Sequence, residues 1–451
     1  MSGIDPATAR ALSHRLAVEQ SQCRLPSVAA GLVRGGDLVW SDAVGTLDGG
    51  SKGIASTAQT QYRIGSITKT FVAVEVLRMR DEGLLDLNDT AGRHIDDIPF
   101  GDITIAQLLS HTSGLQAETN GPWWERTAGG TWAELMASKP ALKFRPGAKF
   151  HYSNLGYAVL GELIGRLRGQ PWSDVVRRDL LAPLGMRRTG SRPQKPVACG
   201  LGVHPLADLR HLEPEHDGVA MAPAGQYWST VQDLSRWAAL LAGETGGLLS
   251  GDTLEEMRSP IALDDRSGAA WTGAYGLGCQ LWNIDGTRYA GHGGSMPGFL
   301  AGVRVNIETG DGCVVFANST TGLGEVSADL MTILADREPI APKPWSADPD
   351  QANVLELTGE WYWGPTAFTM SATADGYLVL GEPGAGRGCR FKPAAGGWTG
   401  LDGYYSGETL TVVRDGSDRV SHLDVCSFRF SRTPYDPAAD IPGGTDPSGW
   451  H

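Results

Sequence analysis

The stretch "RIGSITKTFVAVEVLRMRDEG", residues 63–83, decides how the chain is read. Phe71, Val72, Val74, Val76, Leu77 and Met79 make it apolar nearly all round, so the spacing predicts a helix buried on every side that stops near Gly83. Ser66 and Lys69 stand at its start, and no other Ser-x-x-Lys pair occurs in the chain. Residues three apart on a helix share a face, with about 5–6 Å between Cβ atoms, so the amine can reach the hydroxyl. A serine hydroxyl is a poor nucleophile until a base takes its proton, and a lysine serves as that base only when burial or a nearby cation lowers its pKa from about 10.4. The plainer alternative is a helix-capping Ser66 with Lys69 extended to solvent.

Two further stretches bear on that choice. "FHYSNLGYAVLGELIG" (150–165) places Tyr152 and Asn154 at the entrance of an amphipathic helix. Tyr152 can relay a proton, and Asn154 can donate to a substrate amide or contact the lysine; a core tyrosine and a helix cap are the bland readings. "YAGHGGSMPGF" (289–299) sets His292 before Gly293 and Gly294 on or beside a strand, where the missing side chains would let a substrate backbone approach.

In this order, Ser-x-x-Lys, Tyr-x-Asn and a His-Gly-Gly triplet resemble the serine penicillin-recognising family: class C β-lactamases, D-alanyl-D-alanine carboxypeptidases and the related esterases and D-amino-acid-specific peptidases. "LLSHTSGL" (108–115), "FRPGAKFHYSNLGY" (144–157), "LAPLGM" (181–186) and "APAGQYWSTVQDLSRW" (222–237) extend the resemblance over roughly residues 10 to 335. It implies Ser66 as the acylated nucleophile, Lys69 as its base, Tyr152 as proton relay, Asn154 as a substrate-orienting amide and His292 as the third-motif residue. Gly293, Gly294 and Ser295 would border the substrate, with the oxyanion hole made by the Ser66 N–H and one from the Ser295 or Met296 region. His-Gly-Gly replaces the Lys-Thr-Gly of β-lactamases, which removes the cation for a β-lactam carboxylate, and efficient β-lactamase activity is not expected.

Composition sets the outer bounds. At 451 residues the chain exceeds a single core, and 38 Lys+Arg against 51 Asp+Glu give a net charge of −13, which argues against a phosphate-backbone binder. The first residues lack a basic segment followed by an apolar one, and no run is long and apolar enough to span a bilayer, so the expectation is a cytoplasmic protein without a membrane partner. Six scattered cysteines read as reduced structural thiols, His211 and His216 are spaced too irregularly for a metal site, and no cofactor or metal is expected. His111 in the "SHTSGL" turn reads as structural.

"VAAGLVRGGDLVWSDAVG" (28–45) reads as a hairpin around Gly35-Gly36, helices follow, and strands return after Tyr275. The expected fold is therefore α+β: an antiparallel sheet flanked by helices plus an all-helical subdomain, β-lactamase/transpeptidase-like, followed by a small C-terminal β-barrel. Residues 1–340 form the catalytic domain, 341–354 a Pro-rich linker, 355–435 a β domain that resembles the lipocalin-like extension of some bacterial relatives, and 436–451 a flexible tail. Trp123 and Trp124, in "GPWWERTAGGTW", would line an apolar acyl pocket or pack in the core; Trp361 and Trp363 belong to the β domain's core.

The expected chemistry runs through an acyl-enzyme on Ser66. The resemblance leaves two substrate readings: a stand-alone penicillin-binding-protein-type thioesterase, which cyclises a nonribosomal peptidyl thioester ending in a D-residue and receives it as a small molecule or from a carrier protein, or a cytoplasmic esterase or D-amino-acid-specific peptidase. A non-catalytic binding protein would require Ser66, Lys69, Tyr152 and Asn154 to be idle.

Overall fold

In the computed structural model the described residues are 3–342, 344–383 and 385–434, so the expected tail at 436–451 lies outside them. The chain divides into two compact units, Met1–Ile340 and Ala341–His451.

The first unit is built on an eight-stranded antiparallel sheet. Its strands are β1 (Ser27–Arg34), β2 (Asp37–Gly45), β3 (Ala262–Leu263), β4 (Gly273–Tyr275), β5 (Gln280–Ile284), β6 (Thr287–Met296), β7 (Phe299–Asn306) and β8 (Gly312–Ala317), in the spatial order β2-β1-β8-β7-β6-β5-β4-β3. The C-terminal strands thus complete a sheet that the first hairpin begins, as the α+β reading expects. β1 is buried on both faces, and its side chains alternate between two cores. Val28, Ala30 and Leu32 meet α1 (Pro6–Gln22) through Leu12 and Leu16, together with Leu330 and Leu334 of the helix Val326–Arg337. Ala29 and Val33 face the larger core with Leu234 and Trp237 of the helix Val231–Ala242.

That larger core continues into the helical region. Helix α2 (Thr68–Asp81) is buried at eleven positions, from Thr68 through Leu77 and again at Met79, as its all-round apolar pattern predicts. It packs on α3 (Asn154–Arg168), which starts at a Ser153 cap accepting from Gly156 N (3.1 Å) and stops at Gly169 in the left-handed conformation. The buried Glu75 of α2 meets Arg168 of α3 at 2.9 Å, which ties together the two helices that carry the site.

The second unit is a closed meander of eight antiparallel strands between Gly359 and Ser431, sealed where Tyr362 of the first strand pairs with Ser431 of the last. Trp361, Met370, Leu378, Leu380, Phe391, Leu410 and Phe430 fill its centre. The Pro-rich entry is partly structured: residues Pro349–Leu357 form a 3₁₀ helix, and Val354 and Leu357 already pack on the barrel core. Trp361 is fully buried, while Trp363 is 38 % exposed.

Candidate active site

Ser66 sits in a single 3₁₀ turn, Gly65–Ile67, that leads directly into α2. Between residues 61 and 70 it alone is not buried. The turn is clamped by Thr68, whose Oγ1 donates to Gly65 O (2.7 Å) and accepts from Tyr227 N (3.1 Å). Lys69, one helical turn below, is fully buried, and its Nζ lies 3.0 Å from Ser66 Oγ, 2.7 Å from Asn154 Oδ1 and 2.6 Å from Ala224 O. Burial lowers its pKa to about 7, against the opposing pull of Glu118 and then Glu125. A carbonyl and an amide oxygen only accept, so the two N–H groups of a neutral amine serve Ala224 and Asn154. Its lone pair then faces the Ser66 hydroxyl, the arrangement a general base needs.

Tyr152 and Asn154 reach this pair from the loop before α3, and His111 holds that loop. His111 O accepts from His151 N (2.8 Å), its Nδ1 accepts from Ser153 N (3.0 Å), and its ring lies 4.1 Å from the Tyr152 ring. Lys69 Nζ is 4.9 Å from the centre of the Tyr152 ring, and the Tyr152 hydroxyl meets Ser66. Burial pushes the Tyr152 phenol above its usual range, so it rests as a neutral O–H donor and Lys69 is the stronger candidate for resting base. Asn154 accepts from Lys69, while its Nδ2 donates to Glu118 Oε1 at 2.6 Å.

β6 forms the opposite wall. A Cβ at Gly294 would overlap the Ile64 carbonyl oxygen and stand 3.2 Å from Ser66 N, and one at Gly65 would stand 2.5 Å from Ser295 N. The two glycines therefore let strand and turn meet backbone to backbone, which brings the N–H groups of Ser66 and Ser295 into one neighbourhood. Gly293 N donates to Gln280 Oε1 (2.8 Å). His292 does not extend to solvent: it is 1 % exposed, its Nδ1 donates to Gly293 O, and its Nε2 accepts from the Tyr275 hydroxyl at 3.0 Å. Burial, and then the nearby Lys69, push its pKa down to about 3, so it is neutral and backs Tyr152 at 6.2 Å between rings.

The adjacent tryptophans part company. Trp124 is buried, donates to Glu118 Oε2 (2.8 Å) and lines a cavity of about 330 Å³ with Leu135 and Met221. Trp123 is 59 % exposed, donates to Glu125 Oε2 (2.8 Å) and lies under the Arg126 guanidinium. A larger cavity of about 690 Å³, lined by Arg24, Thr46 and Arg210, contains none of the residues named above for the site.

Two contributors are not singled out by the sequence, Glu118 and the Ala224 carbonyl, whereas His111, read there as structural, holds the loop of Tyr152. Ala224 falls inside the family-like stretch "APAGQYW", which is the available signal; Glu118 has none. Among the described residues no group of three or more His, Cys, Asp or Glu side chains is gathered as a metal site would need, no helix is long and apolar enough to cross a membrane, and all six cysteines are free thiols.

The chain is similar to known proteins over most of its length. Penicillin-binding protein 4 of Amycolatopsis lactamdurans is 27 % identical over 374 residues, covering 76 % of this chain and 94 % of that protein. Among solved structures, SurE, also solved with D-Leu, covers 95 % of the chain and 99 % of its own at 24 % identity and a TM-score of 0.60. A D-stereospecific amidohydrolase from Streptomyces sp. covers 74 % and 98 % at 26 % identity and a TM-score of 0.58. Residues 350–432 match a domain family of unknown function, DUF7586. Residues 8–337 match the Beta-lactamase family, and the chain belongs to that family of serine hydrolases.

Proposed function

We propose that the protein acylates Ser66 with the carbonyl of a D-residue at the end of a peptidyl thioester and releases the acyl group to the peptide's own amine, giving a head-to-tail macrocycle. The observation that carries the acyl-enzyme step is a partly exposed Ser66 hydroxyl 3.0 Å from a lysine held near neutrality by burial. The lone pair of Lys69 takes the hydroxyl proton as Oγ bonds to the carbonyl carbon, and the oxyanion lies against the Ser66 and Ser295 N–H groups. Collapse breaks the carbon–sulfur bond, and the thiol leaves with a proton passed from Lys69 through Tyr152. The incoming amine then bonds to the same carbon, its proton returns through Tyr152 to Lys69, and collapse breaks the carbon–Oγ bond as Lys69 returns that proton to Ser66 Oγ.

The neutral third motif supports this donor class. A carboxypeptidase substrate or a β-lactam brings a carboxylate that asks for a cation at position 292, whereas a thioester ending in a D-residue brings none. SurE solved with D-Leu and the D-stereospecific amidohydrolase support the choice of configuration. The amidohydrolase likeness also favours a second reading, in which water resolves a D-amino-acyl amide or ester.

Mass spectrometry of the products from a linear peptidyl thioester with a C-terminal D-residue, run beside Ser66→Ala, tests both. A product one water lighter than the free acid, absent from the variant, is expected. Free acid alone would replace cyclisation by hydrolysis.

A further inference from the structure

We infer that Glu118 is a positioning residue of the acyl-transfer site, which orients the Asn154 amide so that Lys69 presents its lone pair to Ser66. The inference rests on the reading of Lys69 as the base for Ser66. The chain of contacts is continuous: Trp124 Nε1 donates to Glu118 Oε2 (2.8 Å), Asn154 Nδ2 donates to Glu118 Oε1 (2.6 Å), and Lys69 Nζ donates to Asn154 Oδ1 (2.7 Å). A carboxylate only accepts, so it holds the NH₂ end of Asn154 on its own side and turns the oxygen toward the lysine. With the Ala224 carbonyl taking the other N–H, the amine has one direction left for its lone pair, and that direction is Ser66. Without Glu118 the amide is free to flip, and its NH₂ would compete with the Ser66 hydroxyl for that lone pair.

Glu118 makes no ion pair among the described residues, so its charge acts on the site itself. The charged or titratable groups that face Lys69 are Glu118 and Glu125 from the 118–125 loop, His111, Tyr152 and Tyr157 around its stem, and His292 from β6. Both histidines are buried and neutral, which leaves the two carboxylates to oppose burial and hold the lysine's proton. The charge of Glu118 therefore raises the pH at which the base becomes free, while its shape sets where the base points.

Two variants separate these effects. Glu118→Gln retains an acceptor for Asn154 without the charge, and Glu118→Ala removes both. The readout is the second-order rate of Ser66 labelling by a fluorophosphonate between pH 5 and 9, with Trp124→Phe as the control that removes the indole bond to Glu118 while leaving the carboxylate in place. Expected are an acid limb shifted to lower pH in both Glu118 variants, a plateau within about threefold of wild type for Gln and at least about tenfold lower for Ala, and an unmoved limb in Trp124→Phe. A plateau for Ala no lower than that for Gln would overturn the positioning role of Glu118, and an acid limb unchanged in Gln and Ala, or moved equally by Trp124→Phe, would overturn the role of its charge. A wild-type protein that is not labelled at Ser66 would instead overturn the acyl-enzyme reading, and one labelled without an acid limb would overturn the reading of Lys69 as the base, on which the inference rests.

Discussion

The two units bury different kinds of side chain. The catalytic unit holds Lys69, Glu75, His111 and His292 at or near zero exposure, and burial displaces the pKa of each. Glu75, for example, is pushed up to about 7 even with Arg168 beside it. Inside the barrel the buried side chains that carry polar atoms include Cys389, Tyr405, His422 and Ser431, and among the described residues no Lys, Arg, Asp or Glu is buried there. Burying an ionisable group costs several kcal/mol unless partners are arranged around it, which a large core supplies more readily than the small barrel Gly359–Ser431. Burial of lysine and carboxylate side chains thus marks the unit that reacts, while the barrel buries none of them among the described residues.

The sharpest way to break this comparison is to remove the reacting groups. Ser66→Ala should abolish fluorophosphonate labelling and product formation, read by intact-protein mass. Lys69→Arg keeps a cation in place but cannot accept a proton at any working pH, so the labelling rate should fall by about 10²–10⁴-fold with the fold retained by circular dichroism. A smaller and graded effect comes from pH. Lys69 acts as a base only when neutral, and burial has lowered its pKa to about 7. The labelling rate should therefore be flat well above pH 7 and fall about tenfold per unit below it, whereas a solvated lysine would put the limb near its ordinary value of about 10.4.

Gly294→Ala tests the wall rather than the base. Its Cβ has nowhere to go but into the Ile64 carbonyl, so β6 must move away from the turn that carries Ser66. A loss of about tenfold or more in labelling rate is expected, with a cost of about 1–3 kcal/mol in a denaturant titration. The least effect on chemistry should come from the barrel. Trp361→Ala empties a fully buried site and should cost the barrel about 3–5 kcal/mol, while labelling of Ser66 stays within twofold of wild type. A large fall in labelling would mean that the division of labour drawn above is wrong.

Much of this is legible in the amino-acid sequence. Ser66 and Lys69 are three apart on a helix whose apolar surround is itself visible in the sequence, and Tyr152 and Asn154 are two apart at the mouth of another helix, so both pairings follow from local geometry. The hairpin at Gly35-Gly36 is an equally local signal, as are the short strand-like runs broken by Gly and Asp-Gly between Leu357 and Arg432. Trp123 and Trp124 were not legible: being neighbours in sequence, they carry the same residue type and the same flanks, yet the path of their loop sends one outward to Glu125 and the other inward to Glu118.

The sequence by itself determined the elements, their faces and which residue types stand together within one turn of chain, because helix and strand periodicity act over a few residues. The tertiary structure alone decided that Ala224, 155 positions from Lys69, and Asn154, 85 positions away, would be its two acceptors. It alone turned His292 inward onto Tyr275 and placed Glu118 behind Asn154. Proton affinity and lone-pair direction depend on every group within a few ångströms, and in a folded chain those groups come from segments whose spacing no local pattern records.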